Sequence, residues 1–104
     1  MKFLVTATPG PMPPPPDLLR EARDWLQSRV DDSTLECVYA FPHGGGCVIG
    51  EYDSHEDLME QLMDYPLSPF VSYESHALVE FDAAFDRFIP YVERVSERMA
   101  STSS

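Results

Sequence analysis

The stretch TLECVYAFPHGGGCVIGEYD, residues 34–53, decides the fold, because it has the pattern of two β-strands joined by a short glycine-rich turn. Glycine tolerates the positive φ angles that tight hairpin turns require, so residues 44–46 suit such a turn. A phosphate-binding loop would instead lead into a helix and usually carry Lys and Ser or Thr after its glycines. Here the glycines lead into a strand, so we predict a β-hairpin and no phosphate site.

The segment before this hairpin predicts a strand, an arm and a helix. Residues 2–8, KFLVTAT, have the β-branched and aromatic content of a strand that stops at Pro9. The proline-rich segment 9–16 is predicted to be a stiff polyproline II arm that closes the mouth of a site. Asp17 is predicted to be the N-cap of a helix that runs to about Val30, because apolar residues recur there at helical spacing.

The segment after the hairpin predicts a helix and a fourth strand. Ser54 precedes HEDLMEQLMDY, residues 55–65, and is the expected N-cap of a helix that Pro66 ends. The following residues 70–81, FVSYESHALVEF, have the pattern of a strand. The resulting order, strand, helix, strand, strand, helix, strand, is that of the ferredoxin-like α+β fold.

One more helix is predicted beyond this unit. Asp82 is its expected N-cap, and an apolar stripe follows at helical spacing, although Pro90 should kink or split the helix. We therefore expect a single ferredoxin-like α+β domain with an extra C-terminal helix over residues 1–100. Residues 101–104, STSS, are expected to be a disordered tail.

Composition and charge limit the classes of partner. A chain of 104 residues with 43% hydrophobic content fits one compact domain. Its net charge of −11 leaves no basic surface for phosphates, so we expect no nucleic-acid and no membrane partner. We find no secretory segment and no apolar run long enough to span a bilayer, and we expect a cytoplasmic protein. In that compartment Cys37 and Cys47 are predicted to be reduced core thiols.

Side chains alternate along a strand, so the four predicted strands divide into two faces. One face is small and apolar and suits helix packing, with Phe3, Val5, Ala7, Val38, Ala40, Val48, Gly50, Tyr52, Val71, Tyr73, Ser75, Ala77 and Val79. The other face is mixed, with Leu4, Thr6, Thr8, Cys37, Tyr39, Phe41, Ile49, Glu51, Asp53, Ser72, Glu74, His76 and Leu78. No element remains to cover the mixed face, so we expect a second copy to do so, as a homodimer or larger homo-oligomer. The space between two such faces would suit a small-molecule site.

Residues 54–78, SHEDLMEQLMDYPLSPFVSYESHAL, resemble the muconolactone isomerase family and its dimeric α+β barrel relatives. These proteins have a Ser-capped, Leu-rich helix, then Pro-Leu-x-Pro, then a strand that bears a Glu. The matching positions are Leu58, Leu62, Met63, Pro66, Leu67, Pro69 and Glu74. The resemblance implies a dimeric α+β barrel, and it suggests an isomerase or cyclase that works by proton transfer.

Two features depart from that family. The proline-rich arm and the long C-terminal helix are not features that we associate with the isomerase. Muconolactone carries a carboxylate, yet every arginine is predicted to lie on a helix, and of the Lys and Arg residues only Lys2 is on a predicted strand. We therefore expect a different substrate that is largely neutral, such as a lactone-like or polyketide-like compound.

The candidate site residues lie on the mixed face. Glu74 matches the family glutamate and is the leading candidate for general base, with His76 two residues on as its helper or as the returning acid. Tyr39 and Glu51 are further catalytic candidates, and the alternative for each of the four is a structural role. The expected substrate-binding residues are Thr6, Leu4, Ile49, Phe41 and Leu78. His43 and His55 are most simply solvent-exposed.

We expect neither a metal nor an organic cofactor. Glu74 and His76 would supply two ligands on one face, whereas protein metal sites need three or four. No glycine-rich dinucleotide fingerprint follows the first strand, and no CxxC or haem motif is present. Two alternatives to the isomerase stay open, since fold does not fix function. One is a non-catalytic ligand-binding or assembly module, and the other is a cofactor-independent monooxygenase of the same barrel type.

Overall fold

The computed structural model describes residues 1–102. Its elements are β1 (Lys2–Pro9), α1 (Pro16–Asp31), β2 (Leu35–Ala40), β3 (Gly46–Glu51), α2 (His55–Asp64), β4 (Val71–Leu78) and α3 (Phe81–Thr102). A short 3-10 turn, Ser68–Phe70, precedes β4. This order confirms the predicted α+β, ferredoxin-like βαββαβ arrangement with an extra C-terminal helix.

The four strands form one antiparallel sheet in the order β2-β3-β1-β4. In the central strand, Leu4 lies opposite Ile49 of β3 and His76 of β4. Directly opposite residues share a face of a sheet, so these three side chains lie together on one side. The next residue in β1, Val5, points to the opposite side of the sheet. The two predicted faces are therefore confirmed.

The helices α1 and α2 cover the face that carries Phe3 and Val5. The buried core joins these two residues to Tyr52 and to Leu58 of α2, and Leu58 is 0% exposed. Ala22 of α1 is also buried. Burying a leucine of this kind contributes about 1.5–3 kcal/mol relative to exposure. We call this side of the sheet the covered face and the opposite side, which carries Leu4, Ile49 and His76, the open face.

The helix starts differ in how they are capped. Ser54 accepts a hydrogen bond from the backbone N–H of Asp57 at 3.2 Å, which confirms the predicted cap of α2. The prediction that Asp17 caps α1 is wrong, because α1 already begins at Pro16 and Pro15 occupies the cap position without a side-chain hydrogen bond. Proline suits the first turn, since its φ angle is already helical and its missing N–H would have no partner there. Asp17 instead accepts a hydrogen bond from Arg20 at 2.6 Å.

The C-terminal part of the chain differs from the sequence-based expectation. Strand β4 ends at Leu78, three residues early, and α3 begins at Phe81, so Asp82 lies in its first turn and is not its cap. Of the predicted kink or split at Pro90, the split is wrong, because the helix continues through this residue. The expected tail 101–104 overlaps α3, which includes residues 101 and 102, whereas residues 103 and 104 lie outside the described residues.

The two thiols are free but do not lie in the core. Cys37 lies opposite Ile49, and Cys47 lies opposite Thr6 and Tyr39, so both occupy the open face. Both side chains are partly exposed. The prediction of core positions is corrected, because the parity of both residues along the strands matches the open face. Their reduced state stays a prediction.

Helix α3 extends away from the rest of the molecule. The chain measures 67 × 31 × 24 Å, and its radius of gyration is 19.2 Å. A compact chain of this length would have a radius of gyration of about 13 Å. The excess length follows from α3, whose apolar side chains are largely exposed. Within residues 1–102, we find no helix with both the length and the hydropathy needed to cross a bilayer.

Candidate functional site

A cavity of about 600 Å³ lies between the covered face of the sheet and the helices. Its floor includes Val5, Val48 and Tyr73 of the sheet, and α1 contributes Trp25 and Leu26. The volume falls within the range of about 300–1,000 Å³ that is usual for small-molecule pockets. The helices of a two-layer fold cover the sheet here without filling the whole space above it.

The proline-rich arm forms one wall of this cavity. Residues 9–14 all line it, and the N–H of Gly10 donates a hydrogen bond to the carbonyl oxygen of Phe70 at 2.8 Å. That bond ties the arm to the turn before β4. The arm was predicted to close a site, and it contributes to a site on the covered face of its own chain.

The glycine-rich hairpin turn forms the neighbouring wall. The N–H of Phe41 donates to the carbonyl of Gly45 at 2.9 Å, which closes the predicted hairpin. Gly45 has a φ of +76°, and a Cβ atom there would collide with the backbone carbonyl of Ala7, so glycine is required. The turn residue His43 also lines the cavity, and its ring stacks on that of Phe41 with centroids 5.6 Å apart and planes at 8°.

Three tyrosines supply polar groups to the cavity. Burial raises the pKa of Tyr52, Tyr65 and Tyr73, so each hydroxyl keeps its proton over a wider range of pH and stays a hydrogen-bond donor. The Tyr73 hydroxyl lies 2.7 Å from the hydroxyl of Ser68. The hydroxyls of Tyr52 and Tyr65 make no hydrogen bond to any residue in the described part of the chain. The donors of those two hydroxyls are therefore not taken up by the described residues.

Trp25 is held in place at the junction of α1 and α2. Its indole N–H donates to the carboxylate of Asp64 at 3.1 Å, and the guanidinium of Arg29 lies 4.9 Å from its ring centre. The ring of Tyr65 packs against it with centroids 5.1 Å apart. These contacts fix an aromatic wall, and aromatic pairs of this kind contribute about 0.5–1.5 kcal/mol beyond their buried area.

The cavity carries no formal charge on its walls. Among residues 1–102, the residues that line it include no Lys, Arg, Asp or Glu. An isolated ion buried in such surroundings costs far more than a neutral group of the same size. Elsewhere in the same part of the chain, no group of three or more His, Cys, Asp and Glu side chains could hold a metal ion.

The structure brings Glu74 and His76 together on the open face. His76 Nε2 lies 3.1 Å from Glu74 Oε1, and the two side chains are 53% and 72% exposed, respectively. The Thr6 hydroxyl lies 3.5 Å from the backbone carbonyl of Glu74. Leu4, Ile49 and Leu78 share this face. In a single chain the pair lies in contact with solvent, and the cavity lies on the other side of the sheet.

The remaining predicted site residues are spread apart. Tyr39 lies opposite Cys47 on the edge strand β2 and is 65% exposed, and it is the one predicted catalytic residue among those that line the cavity in the described part of the chain. Glu51 lies at the far end of β3, where its carboxylate accepts from the amino group of Met1 at 3.0 Å. Tyr39 and Glu51 are therefore not neighbours across the hairpin. Phe41 follows β2 and stacks on the ring of His43.

Sequence reasoning missed the cavity on the covered face. The alternation along the strands predicts that Tyr52 and Tyr73 pack against helices, and the apolar residues at helical spacing after Asp17 include Trp25. The signal in the sequence for this cavity was the number of bulky aromatic residues on the covered face, together with the stiff proline-rich arm. Periodicity identifies which side chains point toward the helices, but it does not report whether they fill the space.

Comparison with known proteins gives a likeness of fold. No protein-family model matches the chain, and no curated protein matches its sequence. Among solved structures, a crystal structure of muconolactone isomerase matches with a TM-score of 0.65 and 22% sequence identity. The match covers 77% of this chain and 90% of that chain. The fold is therefore muconolactone isomerase-like, as the resemblance of residues 54–78 implied, and at this identity the likeness concerns the fold alone.

Proposed function

We propose that this protein binds a small, largely neutral organic molecule in the cavity under the proline-rich arm and moves a proton within it. It would then be a cofactor-independent isomerase or cyclase. The observation that carries this proposal is the cavity itself, which has a volume of about 600 Å³ and an apolar, aromatic wall. Pockets of this size and composition are typical of small-molecule sites.

The lining favours a neutral molecule that accepts hydrogen bonds. A carboxylate such as that of muconolactone would find no cationic side chain among the described lining residues. The unpaired hydroxyls of Tyr52 and Tyr65 are donors, which suits the carbonyl oxygen of a lactone or ketone. A cyclic lactone or ketone with an apolar body is therefore the ligand class that fits best.

The tyrosine hydroxyls and the proline-rich arm also suit proton transfer at a carbon next to a carbonyl. That reaction needs a base near the C–H, a donor for the oxygen that gains negative charge, and exclusion of water. The tyrosine hydroxyls fit the donor role, and the arm fits the exclusion of water. The arm also limits the direction from which a substrate enters, since it is tied to Phe70.

Two groups are candidates for the base. His43 is the imidazole that lines the cavity, and histidine is the most frequent general base in enzymes. Glu74 with His76 is the pair predicted from the sequence, and it lies on the open face, where a second copy would be needed to enclose a substrate. The cavity favours His43, and the family motif favours Glu74.

Binding is tested with a matched pair of probes. Coumarin is a neutral aromatic lactone, and its 3-carboxylate adds one negative charge to the same ring system. By isothermal titration calorimetry, we expect coumarin to bind and the carboxylate to bind at least about tenfold more weakly, because its charge would be buried without a partner. Equal affinity for both probes, or no heat with either, contradicts the proposed cavity ligand.

Adjacent residues of β2 provide the matched variants. Val38 lies opposite Val48 and lines the cavity, whereas Cys37 lies opposite Ile49 on the open face. Val38→Phe should fill the cavity and weaken coumarin binding, and Cys37→Phe should leave it unchanged. If Cys37→Phe abolishes binding while Val38→Phe does not, the site lies on the open face.

The base is identified by proton exchange. A panel of neutral cyclic ketones and lactones in D₂O would be followed by NMR for deuterium uptake next to the carbonyl. For an accelerated substrate, removal of the base should slow exchange by about 10² to 10⁴. A loss of this size in His43→Ala assigns the cavity, and a loss in Glu74→Gln assigns the open face. Normal exchange in both folded variants excludes both bases.

A second candidate function is ligand binding without catalysis. It is favoured by one observation, the absence of any carboxylate among the described residues that line the cavity. Coumarin binding with no exchange on any substrate would support it. The monooxygenase alternative is distinguished by oxygen consumption with an electron-rich phenol, which neither an isomerase nor a binding protein produces.

A further inference from the structure

Helix α3 carries a regular seam of exposed apolar residues. Its members are Phe81, Phe85, Phe88, Val92 and Val95, which follow one another at spacings of four, three, four and three residues. We call this set the α3 seam. The first four of these side chains are 55–68% exposed. An apolar stripe on a helix normally packs against another element, and in the described structure these four side chains remain largely open.

The spacing of the seam is compatible with pairing to a second helix. Alternation of three and four residues is the heptad pattern of a and d positions, with which one helix packs along another at a shallow angle. Ile89 and Tyr91 flank the seam, are 54% and 58% exposed, and widen its apolar surface. A second helix with the same spacing matches this alternation, because its side chains fit between those of the seam.

The opposite side of α3 is mostly charged, which suits contact with solvent. It carries Asp86, Arg87, Pro90, Glu93, Arg94 and Glu97. Pro90 therefore lies away from the seam, on the side where a helix that curves around a partner is convex. Over residues 81–102 there are three Arg against four acidic residues, a net charge of 3 − 4 = −1. Helices that lie on anionic membranes are instead rich in Lys and Arg on their polar side, so a lipid surface is a poor occupant.

We infer that α3 pairs, along its seam, with α3 of a second copy of this chain. The two helices are the same sequence, so each seam meets an identical heptad pattern, and each helix is about 33 Å long. Six side chains that are more than half exposed and bury roughly 100 Å² each give roughly 600 Å² per copy. The total of about 1,200 Å² reaches the lower end of the range for stable interfaces. This contact is separate from the open face and from the cavity.

The first test measures assembly of the full chain by sedimentation equilibrium across the micromolar range. We expect a dimer or larger assembly in the wild type. Phe88→Asp places a charge in the seam and should weaken assembly at least about tenfold. Ala83→Asp adds the same charge to the outer side of the same helix and should leave assembly unchanged. A monomeric wild type, or an unchanged mass for Phe88→Asp, overturns the inference.

The second test identifies what the seam contacts. Phe88→Cys and Val92→Cys chains, each with Cys37→Ser and Cys47→Ser, are mixed and oxidised under mild conditions. When two helices pair along the seam, position 88 of one lies near position 88 or position 92 of the other. A disulfide can then form whether the helices are parallel or antiparallel, and covalent dimers are expected in both cases. Ala83→Cys, on the outer side, should remain monomeric. Assembly without these crosslinks would mean that the seam contacts another part of the partner. Binding of a monomer to anionic vesicles would identify a lipid surface. Either result overturns the inference.

Discussion

The covered and open faces of the sheet are made from the same four strands, yet they differ in almost every physical property. On the covered face, Phe3 and Val5 are buried, and the adjacent cavity has uncharged walls. On the open face, the neighbouring residues Leu4 and Thr6 are partly exposed and lie beside the Glu74–His76 pair. The difference shows that one strand residue decides between a core and a solvent-facing surface, because the side-chain period in a strand is two.

The comparison also separates two kinds of functional surface. The covered face borders a cavity formed within a single chain, so the ligand site that we propose there would need no partner. The open face displays titratable residues without enclosing them, so a site there depends on a second copy. The tests that follow challenge this distinction, beginning with the change that should have the largest effect.

Truncation of a leucine on each face should cost very different amounts of stability. Leu58 is 0% exposed in the core under the covered face, so Leu58→Ala should lower the free energy of unfolding by about 2–5 kcal/mol. Leu78 on the open face is 38% exposed, and Leu78→Ala should cost under about 1 kcal/mol. Urea denaturation with both variants at the same low protein concentration measures the two values.

A large decrease in the free energy of unfolding of Leu78→Ala would contradict this difference between the two faces. It would mean that the open face is covered in solution, since truncation of an exposed side chain leaves no cavity. If the loss grows with protein concentration, the cover is a second copy.

The two thiols report whether the open face is covered. Cys37 and Cys47 both lie on it and are free. We predicted that a second copy covers this face, so the assembled protein should react with Ellman's reagent at least about tenfold more slowly than the dilute protein, because modification depends on access to the sulfur. A rate that does not depend on protein concentration would show that the open face stays uncovered and that assembly uses α3 alone.

The smallest expected effect is on stability at high pH. Burial raises the pKa of Tyr65, which lines the cavity, whereas in the unfolded chain a tyrosine ionises near about pH 10. A group whose pKa is higher in the folded state contributes its full stability below the unfolded pKa and loses it as pH rises through the folded pKa. As pH rises beyond about 9, the urea concentration at the unfolding midpoint should therefore decrease. The decrease should be less steep in Tyr65→Phe.

Tyr65→Phe keeps the ring that packs on Trp25, so its stability at neutral pH should change little. Equal slopes for wild type and variant above about pH 9 would show that the hydroxyl is not buried in the folded protein. In that case the cavity is open to water at Tyr65.

Local patterns predicted most of the fold. The hairpin at residues 41–46, the helix that Ser54 caps, and the division of residues such as Leu4 and Val5 between two faces all follow from interactions within a few residues. Errors occurred where two local preferences compete. Asp17 is a good N-cap residue, yet Pro16 already suits the first turn, so the helix begins two residues earlier than the sequence predicted.

The candidate site was predicted less completely. The sequence paired Glu74 with His76, and the structure brings them within 3.1 Å, because residues two apart in a strand share a face. It did not predict the cavity wall formed by Trp25, Tyr52 and Tyr65, which come from three separate segments. Their meeting depends on contacts between residues far apart in the chain, which periodicity does not report.

The sequence by itself determined the element order, the alternation of each strand, the tight glycine turn and the heptad spacing of α3. These properties depend on backbone geometry and on neighbouring side chains, which are local. Only the tertiary structure decided that the arm and the hairpin turn border a cavity on the covered face, and that α3 extends away from the sheet. The physical reason is that empty space and exposure are properties of how whole elements pack, and a small change in the distance between a helix and a sheet opens or fills a cavity without any change in the pattern of the sequence.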